Sequence, residues 1–293
     1  MPTRLLWSRP MSEKAISYTE TKRGASACWL PEWDGALYAS NTAHHRVFDD
    51  WFLERFPIRP TDRVLDIGCG AGDFTAVVAG LVPDGAVVGL DPQPSMLAEA
   101  RRRARANQSF VLGAAQDLAG VLVGEPPFDM VMSRATMHWI PVADHPRVHA
   151  AVHSLVRPGG WYRIEMGGAG NIATIAPFLT DIASHHGGPP APWTFLDAGA
   201  ALDLFESAGF VAAPGAVRTV AQRRAFTRDE LLGWFRSQAL LAWASTMAPA
   251  DHAAFCFDVE SRLDELRRAD GTYDQTWVRL DALVQRLDIA RTG

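Results

Sequence analysis

The chain has 293 residues, 48% hydrophobic and 21% charged, which suits one decorated α/β domain or two average ones and excludes a disordered chain. A formal charge of −5 without a sustained basic stripe disfavours nucleic acid as a partner, and no apolar run reaches membrane-spanning length. Cys28, Cys69 and Cys256 are too scattered for a disulfide framework or a zinc motif. With no signal-peptide pattern in view, a cytoplasmic protein without bound metal is expected. Lys14 and Lys22 are the only lysines, an arginine bias that suits a GC-rich bacterial genome.

In chain order, residues 1–36 are dotted with tryptophan and show little period. Over 41–56, Val47, Phe48, Trp51, Phe52 and Phe56 recur at helical spacing until Pro57 ends the run. Short apolar runs then alternate with helical patterns. Strands are predicted at 63–68, 86–91, 110–113, 128–133 and 161–166, and helices at 73–81, 95–107 and 146–156. Ser95 is the expected N-cap of the second of these helices, and Pro158-Gly159-Gly160 stops the third. Such alternation predicts parallel strands joined by right-handed crossovers, a doubly wound α/β sheet.

Beyond Gly167-Gly168 the chain loosens through His185-His186-Gly187-Gly188-Pro189-Pro190. Without a third ligand at usable spacing, the paired histidines read as solvated loop residues. A helix over 197–208 closes on Gly209, and a strand starts at Phe210. Thr227 and Glu230 form a capping box for a helix carrying Leu231, Trp234, Phe235 and Leu241. A second helix carries Phe255, Val259, Leu263 and Leu266, ending before Gly271. The pattern of 276–287 fits either a helix or a final strand.

The stretch Val64-Leu65-Asp66-Ile67-Gly68-Cys69-Gly70-Ala71-Gly72 runs a strand into a glycine-rich turn and a helix. Glycines let the backbone approach a ligand, and the helix N-terminus turns free N–H groups toward it. Asp91 ends the second strand, where an acid can accept both hydroxyls of a ribose. A dinucleotide fingerprint needs glycine at its sixth position, and that position is Asp73. Asp66 and Asp73 would also repel a pyrophosphate. A ligand with a cationic amine and an unphosphorylated ribose fits better.

Together with Ser133 and Arg157-Pro158-Gly159-Gly160 in the same order, these residues resemble the cofactor site of the class I S-adenosylmethionine-dependent methyltransferases. The resemblance implies S-adenosyl-L-methionine as cofactor and S-adenosyl-L-homocysteine as product. It also implies that Gly68 and Gly70 line the methionine, Asp66 approaches its ammonium and Asp91 holds the ribose. Gln93 and Met96 would cover ribose and adenine. Ala114 stands where the family places an adenine-reading acid, which leaves Ala115, Gln116 or Asp117 to contact the base. Ser133 would lie behind the sulfonium, with Arg134 beside it.

Leu37-Tyr38, Asn41, Arg46, Met137-His138-Trp139 and Gly167-Gly168-Ala169-Gly170-Asn171-Ile172 are similar to the subgroup of trans-aconitate and juvenile-hormone-acid methyltransferases. That resemblance implies a Rossmann-like seven-stranded sheet of order 3-2-1-4-5-7-6, with the tail as its antiparallel seventh strand. It divides the chain into an N-terminal helical lid (1–60), a methyltransferase core (61–226 and 272–293) and a helical cap insertion (227–271). Residues 1–36 would serve as a lid or as a contact in a homodimer.

Methyl transfer is a direct displacement that needs no protein nucleophile. Alignment of the two reactants is worth up to roughly 7–11 kcal/mol. Candidate bases, should the acceptor have to lose a proton, are His138, Tyr38 and one of His44 and His45, with His45 preferred. Trp29, Trp33, Trp139, Trp193 and Trp234 suit a flat, apolar small-molecule acceptor. Residues 37–46 also look similar to natural-product methyltransferases, including those that alkylate indole carbon. Arg134 either binds an anionic group of the substrate or pairs with an acid. One rival reading is a carboxyl methyltransferase of a small organic acid, which would need inward arginines such as Arg134 and Arg163. Another is a cofactor-binding protein without catalysis.

Overall fold

The computed structural model describes residues 49–243 and 246–288. Trp29, Trp33, Tyr38, His44, His45 and most of the expected N-terminal lid lie outside them.

The first described helix, α1 (Asp49–Glu54), buries Phe52 completely. Five parallel strands follow: β1 (Arg63–Ile67), β2 (Ala86–Asp91), β3 (Gln108–Leu112), β4 (Phe128–Arg134) and β5 (Val156–Gly167). Their crossovers carry α2 (Asp73–Leu81), α3 (Pro94–Arg102), α4 (Leu118–Val121) and α5 (His145–Leu155). Ser95 does not cap α3. The helix opens at Pro94 with Gln93 as N-cap, because proline's fixed φ and missing N–H suit a first turn. Likewise Arg157-Pro158-Gly159-Gly160 lies inside β5, which starts directly after α5, and the pairing of β4 with β5 shifts register there.

After β5 come α6 (Ile175–His185), α7 (Ala198–Ser207), the two-residue β6 (Phe210–Val211), β7 (Val217–Phe226), α8 (Arg228–Ser237), α9 (His252–Ser261) and β8 (Tyr273–Arg286). The tail is therefore a strand, antiparallel to β5. The order β3-β2-β1-β4-β5-β8-β6 reproduces the expected seven-stranded arrangement, the tail counting as its seventh strand, with β7 as an additional partner of β8. The Thr227–Glu230 capping box is formed. Leu241 falls beyond α8, in the 3-10 turn Ala239–Trp243.

Strand alternation sends Leu65, Ile67 and Val131 to a core under α5 and α7, and Val64, Met130 and Met132 to a core under α1 and α2. A separate apolar cluster joins Leu179, Ile182, Leu231, Phe235, Trp243, Phe255 and Val259 above the strand ends. Tyr273 and Trp277 belong to that cluster, whereas Leu280, Ala282 and Val284 of the same strand belong to the sheet core. His186 departs from the solvated-loop expectation. Its Nε2 lies 2.8 Å from Asp258 Oδ2, joining the end of α6 to α9. No described helix is long and apolar enough to cross a membrane.

Candidate functional site

The glycine turn closes against neighbouring backbone. Gly68 (φ +75°) and Gly70 (φ +54°) occupy left-handed conformations that L side chains rarely adopt. A Cβ at Gly68 would lie 2.1 Å from Thr136 Oγ1, so this position also needs the missing side chain for space. Asp91, at the end of β2, accepts from Gly70 N–H and Gln93 N–H, both at 2.9 Å, one on each carboxylate oxygen. Burial raises its pKa, opposed by these two donors. Each oxygen retains a further lone pair, the acceptor set that two neighbouring hydroxyl donors require.

Above this turn lies a cavity of about 260 Å³. One wall consists of Gly68, Gly70, Asp91, Pro92, Gln93 and Met96. The aromatic part of the lining is formed by Trp139, Trp193, Phe195, Trp234 and Trp277. Trp193 stacks on Phe195 (6.1 Å, 16°), and Trp139 and Trp234 meet Trp193 and Trp277 edge-on. Thr194 N–H bonds the His138 carbonyl at 2.8 Å, holding the Trp193–Phe195 loop against the turn after β4. His138, Asn171, Gln238 and Arg279 are the polar residues of that half.

His138 is buried and accepts, on Nδ1, from the Gly167 backbone N–H at 3.2 Å. Burial lowers its pKa to about 3; the Arg279 charge acts in the same direction and Glu165 opposes it. Arg279 is paired with the fully buried Glu165. Among the described residues no cluster of His, Cys, Asp and Glu has the makings of a metal site.

Several expected site residues point elsewhere. Asp66 shares the face of β1 that α2 covers, where Thr75 Oγ1 donates to it at 2.6 Å, and it does not line the cavity. Burial raises its pKa to about 7. Ser133 is fully buried, donates to the Ile67 carbonyl at 3.1 Å and does not line the cavity. Ala115 is packed into the sheet core, and Gln116 reaches toward Asp144. Arg134 turns to Asp49 (2.5 Å) and Glu165, its guanidinium 4.4 Å from the Phe74 ring centroid. Arg163 is buried against Asp281 and over Phe52. Neither arginine lines the cavity.

The structure does bring together Gly68, Gly70, Asp91, Gln93, Met96, His138, Trp139, Trp193 and Trp234. It adds Thr136, Phe195, Gln238, Trp277 and Arg279, which sequence reasoning did not assign to the site. A strand reading of the tail was the available signal for Trp277 and Arg279, since residues two apart share a face. Two cavity residues, Ala135 (φ +52°) and Ile172 (φ +46°), are held in left-handed backbone. For β-branched Ile172 this is a true outlier.

Known proteins similar to this chain are methyltransferases by name or share its fold. A methyltransferase domain matches residues 64–160. A trans-aconitate 2-methyltransferase of Deinococcus radiodurans is 31% identical over 214 residues, covering 68% of this chain and 77% of the relative. Another, from Methylobacterium radiotolerans, is 28% identical and covers 83% and 91%. Among solved structures, YcgJ of Bacillus subtilis superposes with a TM-score of 0.57 at 15% identity, over 83% of this chain and 99% of its own. A Haemonchus contortus phosphoethanolamine N-methyltransferase 2 bound to S-adenosyl-L-methionine gives 0.51 at 17% identity, covering 85% and 56%. At these identities the structures speak for the fold alone.

Proposed function

The chain belongs to the class I S-adenosylmethionine-dependent methyltransferases, and from that premise we propose that it methylates a small, planar, mostly apolar acceptor held in the aromatic half of the cavity. The observation that carries the reading is the aromatic group of Trp139, Trp193, Phe195, Trp234 and Trp277, which lines the same cavity as the Asp91 turn. S-adenosyl-L-methionine, when bound, supplies an electrophilic methyl group. The residues on the turn side fit it: Asp91 would take the ribose hydroxyls, Gly68 and Gly70 would admit the methionine, and Gln93 and Met96 would cover ribose and adenine. The aromatic residues fix the acceptor's plane, and such alignment is the main contribution a protein makes to a direct displacement.

A second reading, methylation of a carboxyl group on a small organic acid, is supported by the relatives named for trans-aconitate. Its electrostatic requirement is harder to meet. Of the described arginines, only Arg279 reaches the cavity, already paired with Glu165, while Arg134 and Arg163 are committed to internal acids.

Incubation of the purified protein with S-adenosyl-L-methionine and two acceptor pools, read by mass spectrometry, decides between them. One pool holds indoles, phenols and their amides, and the other aconitate and related acids. A one-methyl mass gain in the first pool is expected. A gain confined to the second would overturn the aromatic reading.

A further inference from the structure

His138 stands in the 3-10 turn Met137–Trp139, shortly after β4, among the residues that line the cavity. Its orientation is set from behind by a backbone amide. An amide N–H can only donate, so Nδ1, which receives the Gly167 N–H, is the ring's lone-pair nitrogen. The neutral ring must then carry its hydrogen on Nε2.

The supports of this arrangement are rigid. Gly167 faces Arg279 across the β5–β8 ladder. A Cβ at Gly167 would come within 2.6 Å of the Phe195 ring and 2.8 Å of Asn171 Nδ2. The imidazole packs against Trp139 and Phe195, with centroids 5.6 and 6.0 Å away. Among the described residues, none accepts a hydrogen bond from Nε2.

We infer that His138 presents its Nε2–H to the cavity as a hydrogen-bond donor, and that it selects acceptors bearing a lone pair at that wall, such as a carbonyl or carboxylate oxygen or a pyridine-type nitrogen. The role is recognition. A nitrogen that already holds its proton takes none from the acceptor, so the methylated atom is either nucleophilic as bound or deprotonated by another group. The two charged groups facing the ring, Glu165 from β5 and Arg279 from β8, neutralise each other, and burial keeps the ring uncharged. The inference rests on the proposed function in assigning this half of the cavity to the acceptor.

The test begins with nitrogen-15 NMR of ring-labelled histidine in the full-length protein with S-adenosyl-L-homocysteine added. His138 should show an unprotonated Nδ1 and a protonated Nε2, unchanged from about pH 5 to pH 9. A proton on Nδ1, or a ring that titrates within that range, overturns the inference. Kinetics follow on whichever pool is turned over. His138→Ala should raise the acceptor KM about tenfold or more with kcat within about threefold, and His138→Gln, which restores a donor, should recover most of the loss. A drop in kcat accompanied by loss of a limb in the pH profile would make His138 a base and overturn the proposal. Turnover confined to the acid pool would sink the aromatic reading while leaving the ring's tautomer and the KM split to decide this inference separately.

Discussion

At Asp91 a single carboxylate fastens two backbone segments, the glycine turn through Gly70 and the start of α3 through Gln93. Its removal leaves two partly buried N–H groups without their acceptor and would deprive a bound ribose of one. Asp91→Ala should therefore weaken S-adenosyl-L-methionine binding by about ten- to a hundredfold, measured by calorimetry. Unchanged affinity would refute the ribose assignment. Asp66, which the sequence places beside it, behaves differently because it lies one pleat earlier, inside the sheet, where α2 covers it and Thr75 takes its carboxylate. The glycine turn was legible because glycine spacing and a buried strand are local properties. Which face Asp66, Ser133 and Arg134 occupy depends on what covers each face, and local pattern does not carry that. The tryptophans of the aromatic wall were legible as a group. Trp277 was not among them, since it enters from a strand far along the chain.

Among the elements, β8 is tied to the N-terminal side of the molecule by a buried charge cluster. Asp281 binds the fully buried Arg163, Arg55 (2.6 Å) from the residue after α1, and Arg218 of β7 (2.9 Å). Breaking a buried ion pair leaves the remaining charge without compensation. Asp281→Ala should cost about 3–5 kcal/mol in chemical denaturation, while Arg218→Ala, at a side chain 44% exposed, should stay within about 1 kcal/mol. Equal losses would mean that the cluster contributes only as a surface pair. β7 itself escaped the sequence reading for a physical reason. Most of its residues are exposed, and Arg218, Arg223 and Arg224 mask the alternation that marks a half-buried strand. Those same charges guard an edge strand against pairing with another chain.

Over the whole molecule, pH acts through buried neutral histidines. The pKa of His149, packed against Phe205 and Tyr162, falls to about 3, like that of His138, with burial as the main cause. A folded-state pKa below the ordinary value means that the stability contribution is complete above about pH 6.5 and is lost as pH falls toward 3. Each such ring can contribute up to about 1.4 kcal/mol per pH unit in that window. Asp66 works in the opposite sense, its contribution being lost as pH rises through about 7. The thermal midpoint should accordingly fall on acidification below pH 6.5, and His149→Gln should flatten that fall. A slope unaltered by the substitution would remove His149 as a source. The double membership of β8 has one more consequence, for how the protein is made. On the ribosome β5 emerges well before β8, with Trp193, Phe195 and Trp234 of the aromatic wall translated between them. Until β8 arrives, β5 offers an unpaired edge, and the apolar cluster around Trp243 and Phe255 lacks Tyr273 and Trp277. Both halves are then completed in one late step, so the nascent chain is exposed to aggregation throughout that interval.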